Sequence, residues 1–435
     1  MTETSSDKSA SSGRGGTSRS LFSQLELDLR LLGMIGAFLL ICVLFNILTG
    51  GQFLTPRNLF NLTIQTVSVA IMATGMVFII VTRHIDLAVG SLLATCSAIM
   101  AMTQTSWAID LLGIPLGSPA LAWVAIVVGI AAGAIIGAFQ GWLVGYLTIP
   151  AFIVTLGGLL VWRNVAWYLT SGQTIGPLNE TFQLFGGING TLGATWSWIA
   201  GLVASVASVL ALVSARRAKK RHDFPVKPMW AEFAVGAIFV VAIMGFIAIL
   251  NSYQIPERVL ERQFAAEGLE VPAGYTASYG LPISVLLLIA VAVVMTVVAR
   301  KTRFGRYVFA TGGNPDAAEL SGINTRLLTV KVFALMGALV AIAALVASSR
   351  LTFHSNDIGT LDELRVIAAA VIGGTALAGG IGTIYGAILG ALIMQSLQSG
   401  MAMVGVDAPL QNIVVGSVLV AAVLIDIIYR RRVGG

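Results

Sequence analysis

Long apolar runs separated by short polar segments dominate the chain. Twelve can be delimited, at 31–48, 61–82, 86–103, 121–147, 150–170, 196–214, 230–250, 281–299, 327–348, 364–379, 382–400 and 410–429. A helix needs about 20 apolar residues to cross a bilayer, and most of these runs supply that. The tenth is short, and only a few residues separate the second from the third. A membrane β-barrel would show short alternating segments, whereas these runs are continuous. The pattern predicts an all-α polytopic membrane protein of about 12 transmembrane helices.

Composition sharpens the class. Apolar residues make up 57% of the 435 residues and charged residues 11%, against about 25% charged in soluble domains. So few charges cannot cover a soluble protein of this size. Glycine, at 48 residues, is enriched in membrane helices. Cys42 and Cys96 both lie inside apolar runs, so no disulfide framework is expected. None of the six lysines follows a glycine, so the chain holds no P-loop for ATP. Residues 1–30 are polar, rich in Ser and Gly, and read as a disordered cytoplasmic tail. The first apolar run reaches membrane-span length, which argues against a cleaved signal peptide.

Charge sets the expected orientation. With the N-terminus inside, cytoplasmic segments hold 20 of the 26 Lys and Arg residues. Five fall outside (Arg57, Arg258, Arg262, Arg350 and Arg365), and Arg163 lies within a span. Both termini are therefore expected in the cytoplasm, and the net charge of +6 reflects inside loops rather than nucleic-acid binding. Every tryptophan except Trp162 lies near a proposed span end, as an interfacial belt requires.

The chain also repeats itself. Residues 129–138, GIAAGAIIGA, match 382–391, GTIYGAILGA; 150–161, PAFIVTLGGLLV, match 409–420, PLQNIVVGSVLV. Asp86-Leu87-Ala88-Val89 echoes Glu363-Leu364-Arg365-Val366. Paired spans run in opposite directions, which predicts an inverted repeat with a pathway between its halves. Glycines at every fourth position from 129 to 145 predict close helix packing. Spans 6 and 7 lie outside the repeat and read as an inserted hairpin on a five-plus-five core. The expected organisation is a tail at 1–30, a first membrane half at 31–170, loops and hairpin at 171–280, a second half at 281–429, and a basic cytoplasmic end at 430–435.

One loop, 303–323, RFGRYVFATGGNPDAAELSGI, is too polar to span. Gly312-Gly313-Asn314-Pro315 reads as a turn opening a short helix. Asp316 and Glu319 suit its first turn, Ala317 and Ala318 form a small face, and Gly322 ends it. The result is either a surface helix for a soluble partner or an ordinary connection.

Three motifs resemble the ribose/xylose permease family of bacterial ABC sugar importers, most closely its xylose-type members. The first is G-R-x-x-x-A-x-G-x-N-x-x-A-A-x-x-x-G-I from Gly305 to Ile323. The second is Ile85-Asp86-Leu87-Ala88-Val89-Gly90-Ser91. The third is Gly373-Gly374-Thr375 through Gly379-Gly380-Ile381-Gly382-Thr383. Arg83-His84 stands where the family usually has glycines, Ala88 where it has Ser, and Thr375-Ala376 at its small/Ser step. The resemblance covers about 55–430 apart from the hairpin.

It implies the permease subunit of an ATP-driven importer of a monosaccharide such as xylose, in the bacterial cytoplasmic membrane. The subunit would be non-catalytic and free of cofactors. A cytoplasmic ATPase would dock through Gly305, Arg306, Asn314, Pro315, Ala317, Ala318, Glu319 and Gly322. A second copy of the chain would enclose the path, and an extracytoplasmic protein would deliver the sugar.

Polar residues in the spans are candidates to line that path. Asp86 is either functional or paired with Arg83; an ionisable group at membrane depth costs at least about 2.5 kcal/mol. Arg163, with Asn164 and Trp167, faces the path or snorkels outward. Gln65, Gln140, Gln411 and Asn412 bond sugar hydroxyls or cross-link helices. His84, His222 and His354 do not form a metal-ligand spacing. The rival is an ion-coupled secondary transporter, disfavoured by the near absence of acidic residues within spans.

Overall fold

The computed structural model describes residues 29–224, 228–266, 268–272 and 274–433. The expected tail thus lies, up to residue 28, outside the described residues. The helices that matter are α1 (Leu29–Leu48), α2 (Pro56–Val81), α3 (Val89–Met102), α4 (Pro119–Gly145) and α5 (Ala151–Thr170). Then come α6 (Gly193–Arg221), α7 (Met229–Asn251), α8 (Glu257–Ala266), α9 (Ile283–Lys301), α10 (Arg303–Gly313) and α11 (Pro315–Leu320). The last four are α12 (Thr325–Leu351), α13 (Asp362–Ile372), α14 (Ile384–Met403) and α15 (Ala408–Val433).

Local sequence explains most boundaries. Pro56 and Pro119 open α2 and α4 at their first turns, where a missing N–H does no harm. Ser118, Asn324 and Thr383 cap α4, α12 and α14 by accepting from backbone N–H groups of the first turn. Among the described residues, 10 helical stretches are long and apolar enough to cross a membrane. The expectation of about 12 spans differs in one place. Eleven-residue α13 rises only about 16 Å, short of a hydrocarbon core of about 30 Å. α15, at 26 residues, is long enough for the twelfth expected span, with 408–424 apolar among the described residues. Past Met102, α3 continues through a π-helical turn and a short helix to Leu112, which completes its span.

The core is built on α2 and α12. Both are apolar all round, and α2 is almost wholly buried. The predicted repeat appears as matched packing. α4 lies along α12, as α14 lies along α2; α3 touches α12, as α13 touches α2; α5 covers α3, as α15 covers α13. The glycine stripe of α4 does what its spacing predicts. Gly133 and Gly137 lie directly on the backbone of Gly337 and Phe333 in α12, leaving no room for a Cβ. At the matching glycines of the second half, Gly382, just before α14, meets Val77 and Val81 of α2, whereas Gly386 and Gly390 in α14 meet Gly373 and Ala369.

The inserted hairpin stands apart. α6 and α7 pack chiefly on each other. Each buries only 11% of its most apolar window. One end is tied to the core, where Leu192 and Gly193 N–H groups donate to Leu281 and Tyr279 carbonyls, each at 3.0 Å. Tyr253 and Tyr279 stack there and Phe60 of α2 packs tilted against both, with centroids 4.9–5.4 Å apart.

Candidate transport path and docking element

The start of α3 lies part way along α5. Thr155 Oγ1 donates to the Ile85 carbonyl at 3.3 Å, and Thr95 Oγ1 to the Trp162 carbonyl at 2.6 Å. Gly158 sits between them, facing Ala88 and the amide of Gln140. From the other direction the 352–361 loop folds back into the protein, so that Gly359 and Glu363, at the start of α13, close on Gly90. Two helix beginnings from the two repeats therefore meet inside the fold. Irregular backbone at membrane depth is tolerated where protein surrounds it, and helix N-termini there suit polar ligands.

The 352–361 loop is held from several sides. Arg163 Nη1 donates to the Asn356 and Ile358 carbonyls, both at 2.7 Å. His354 pairs backbone with Ile175, and its Nδ1 lies 2.9 Å from Ser97 Oγ. Around the junction several buried polar atoms have no partner within the chain: both amide atoms of Gln140, Trp162 Nε1 and one Glu363 oxygen. Buried polar atoms usually find partners. Such atoms, left open near the two helix starts, mark the junction as the candidate polar site of the fold.

The sequence-predicted path residues do not all gather there. Asp86, 1% exposed, accepts from Ala88 N–H at 2.9 Å, which closes the turn just before α3. Gln140 lies across Gly158 from Ala88, and Arg163 holds the adjoining loop. Gln65 accepts from Gln395 at 3.0 Å, which cross-links α2 and α14. Asn164 bonds back to the Leu160 carbonyl of its own helix, and Trp167 packs edge-on against Tyr168. Gln411 donates to the Val406 carbonyl at the start of α15, and Asn412 is exposed beside it. The Arg83–Asp86 pair does not form; Arg83 turns instead to the end of α10. Two acidic side chains, Asp86 just before α3 and Glu363 in the first turn of α13, are buried within the protein. Glu363 and Trp162 escaped the sequence reading of the site. The displaced position of Trp162, alone among the tryptophans, was the available signal.

The 303–323 segment is two helices, not one. Thr302 caps α10 by accepting from Gly305 N–H at 3.1 Å. Gly312 and Gly313 complete that helix instead of forming a turn. The break falls at Asn314, whose extended backbone and side chain, accepting from Ala317 N–H at 3.0 Å, start α11. Gly322 has a φ of 83°, where glycine is unstrained. Its N–H bonds the Glu319 carbonyl at 2.9 Å and that of Ile323 bonds Ala318 at 3.1 Å, a Schellman closure.

The expected small face also changes. Ala318 is 5% exposed and turned into the chain, as is Gly305, which packs on the last carbonyls of α9. The outward side carries Arg306, Ala317, Glu319 and Leu320. Leu320 is 90% exposed, an apolar side chain at the tip of a polar element, and sequence reasoning passed over it.

Among the described residues no three His, Cys, Asp or Glu side chains are grouped to hold a metal ion. Residues 58–423 match the family described as branched-chain amino acid transport system / permease component. The chain is 37% identical to the xylose transport system permease protein XylH of Haemophilus influenzae, over 93% of this chain and 98% of that one. It is 36% identical to the Escherichia coli K12 protein of the same name, over 94% and 95%. It is 32% identical to the E. coli K12 ribose import permease protein RbsC, over 86% and 87%. No solved structure matches. The chain belongs to the branched-chain amino acid transport system / permease component family and is a multi-pass membrane permease of that family.

Proposed function

We propose that this chain is the membrane-spanning subunit of an ATP-driven importer that carries a pentose, with xylose the first candidate, across a bacterial cytoplasmic membrane. The near full-length similarity to two xylose permeases, stronger than that to a ribose permease, carries the reading. A neutral sugar needs no charged anchor, and the open amide of Gln140 with Trp162 Nε1 offers it donors and an acceptor. Both termini and the α10–α11 element face the cytoplasm, where Leu320 and Glu319 meet a separate ATPase. A second copy covers exposed apolar helix faces such as that of α5. A binding protein delivers sugar from outside. ATP binding and hydrolysis on the partner alternate the access states, and the permease performs no bond chemistry.

Proteoliposomes holding the chain with its co-purified ATPase and binding protein should take up labelled xylose only with ATP inside, and excess ribose should compete weakly. ATP-dependent uptake of an amino acid with no xylose uptake would overturn the substrate reading. Orientation is tested by labelling Lys220→Cys in intact cells: an impermeant thiol reagent should not reach it. The buried carboxylates of Asp86 and Glu363 are the feature an ion-coupled transporter would use. Uptake by the chain alone, driven by an ion gradient without ATP, would favour that second reading.

A further inference from the structure

Three segments interlock at the end of α10. Gly312 of α10 lies against the Val81 carbonyl, at the end of α2, and against the backbone of Gly380, in the turn between α13 and α14. Gly380 N–H donates to that same Val81 carbonyl at 3.0 Å. Over this contact reaches Arg83, the second residue after α2. Its Nε donates to the Gly312 carbonyl at 2.9 Å and its Nη2 to the Gly313 carbonyl at 2.7 Å. Gly379 leaves the space that its aliphatic stem fills. One element thus grips a turn from each half of the repeat.

Arg83 is unusual in its backbone as well. Its φ is 65°, a left-handed conformation that costs any residue with a Cβ energy and glycine nothing. The chain accepts that strain where the guanidinium straddles the last carbonyls of α10, at the negative end of the helix dipole. Nothing within the turn itself needs the side chain: Asp86, its nearest acidic neighbour in sequence, accepts instead from Ala88 N–H. Nor does α10 depend on Arg83 to stay in place, since Phe304 stacks on Phe78 at 6.0 Å and Val308 is fully buried.

We propose that Arg83 is a positioning residue for coupled transport: its two hydrogen bonds to Gly312 and Gly313 make the α2–α3 turn move with the α10–α11 element. The α2–α3 turn continues directly into Asp86, Ala88 and the buried start of α3, beside Gln140. A displacement of α11 by the ATPase therefore reaches the polar junction through a short, stiff path, and loss of the clamp leaves docking intact while the junction no longer follows. This rests on the reading of α11 as the docking helix.

The test uses the complete transporter in proteoliposomes, with sugar uptake and ATP hydrolysis measured together. Arg83→Gly removes the clamp and relaxes the backbone at the same time. It should retain the ATPase through purification and still hydrolyse ATP, with sugar moved per ATP falling about fivefold or more. Arg83→Lys keeps the charge but offers an ammonium in place of the fork, and should recover part of the ratio. An unchanged ratio in Arg83→Gly would overturn the proposal, as would a loss of ATPase binding in both variants. Should the glycine variant not accumulate, Arg83→Gln is read by the same ratio. Failure of the docking reading is separate: wild-type protein would retain no ATPase, or Leu320→Glu would retain it as well as wild type.

Discussion

Arg163, in the middle of α5, donates a 2.7 Å hydrogen bond to the carbonyl of Ile358, in the loop between α12 and α13. The same nitrogen reaches Asn356, so one side chain closes a loop that comes from the other half of the repeat. Hydrogen bonds from a charged donor contribute about 1.5–3 kcal/mol, and their loss leaves two carbonyls inside the fold unpaired. Arg163→Met should lower stability by roughly 2 kcal/mol, read as a lower thermal unfolding midpoint in detergent. It should also speed thiol labelling of Asp357→Cys. Arg163→Lys should fall between the two, and no change in either readout would show that the loop is held elsewhere.

The α4–α12 contact is a second place where size decides. A Cβ on Gly137 overlaps the Phe333 carbonyl, which backbone hydrogen bonding keeps in place. Gly137→Val should cost about 1–3 kcal/mol by overpacking and reduce the yield of folded protein. Gly245→Val, on the outer hairpin with open space around it, is the control and should accumulate normally. Equal yields would mean that α4 and α12 separate more easily than their backbone contact implies.

Leu320 and Ala318 make opposite predictions although they are two residues apart. Leu320→Ala should weaken capture of the ATPase by about 1.5–3 kcal/mol, the value of burying a leucine, with membrane insertion and thermal stability unchanged. Ala318→Trp should instead disturb the seat of α11 on its own chain and lower stability. Titration of purified ATPase against the reconstituted variants distinguishes them. Full-strength binding by Leu320→Ala would place the docking surface elsewhere.

Among the polar candidates, Gln140 and Gln411 separate a ligand group from a structural one. Gln140→Leu removes an amide with no partner, so the fold should be as stable as before or more so, while the KM for sugar should rise several-fold. Gln411→Ala and Asn412→Ala lie at the start of α15, away from the junction contacts, and should transport normally. A double-mutant cycle on Gln65 and Gln395 should give a coupling of about 0.6 kcal/mol in stability and none in transport. The reverse pattern would move the path toward α14 and α15.

Several of these distinctions were visible in one dimension and several were not. The spacing of Gly133 and Gly137 predicted a close helix contact, and Asn314, Pro315 and Gly322 predicted the bounds of α11, because both signals act within one or two turns. Gln65 left two readings open, and its cross-link partner, Gln395, lies 330 positions away in sequence. Ala318 looked like part of an outward face because small residues suit any close contact; only the neighbouring helices show which side is which. Arg83 and Asp86, three residues apart, suggested an ion pair, yet the left-handed turn at Arg83 sends the two side chains in different directions.

The sequence by itself determined the solvent of this protein, the helices, their reversed repetition and the family to which they belong. Apolar length, glycine period and helix capping are local quantities, summed along the chain and indifferent to what lies opposite. Tertiary structure alone decided that α3 and α13 begin against each other inside the fold, that Arg163 seals one connecting loop, and that Arg83 fastens its counterpart to α10. Those are contacts between segments far apart in sequence, made by side chains that have several possible partners of similar strength. In a membrane, where apolar burial does not distinguish helix from lipid, the backbone approach that glycine permits selects among them.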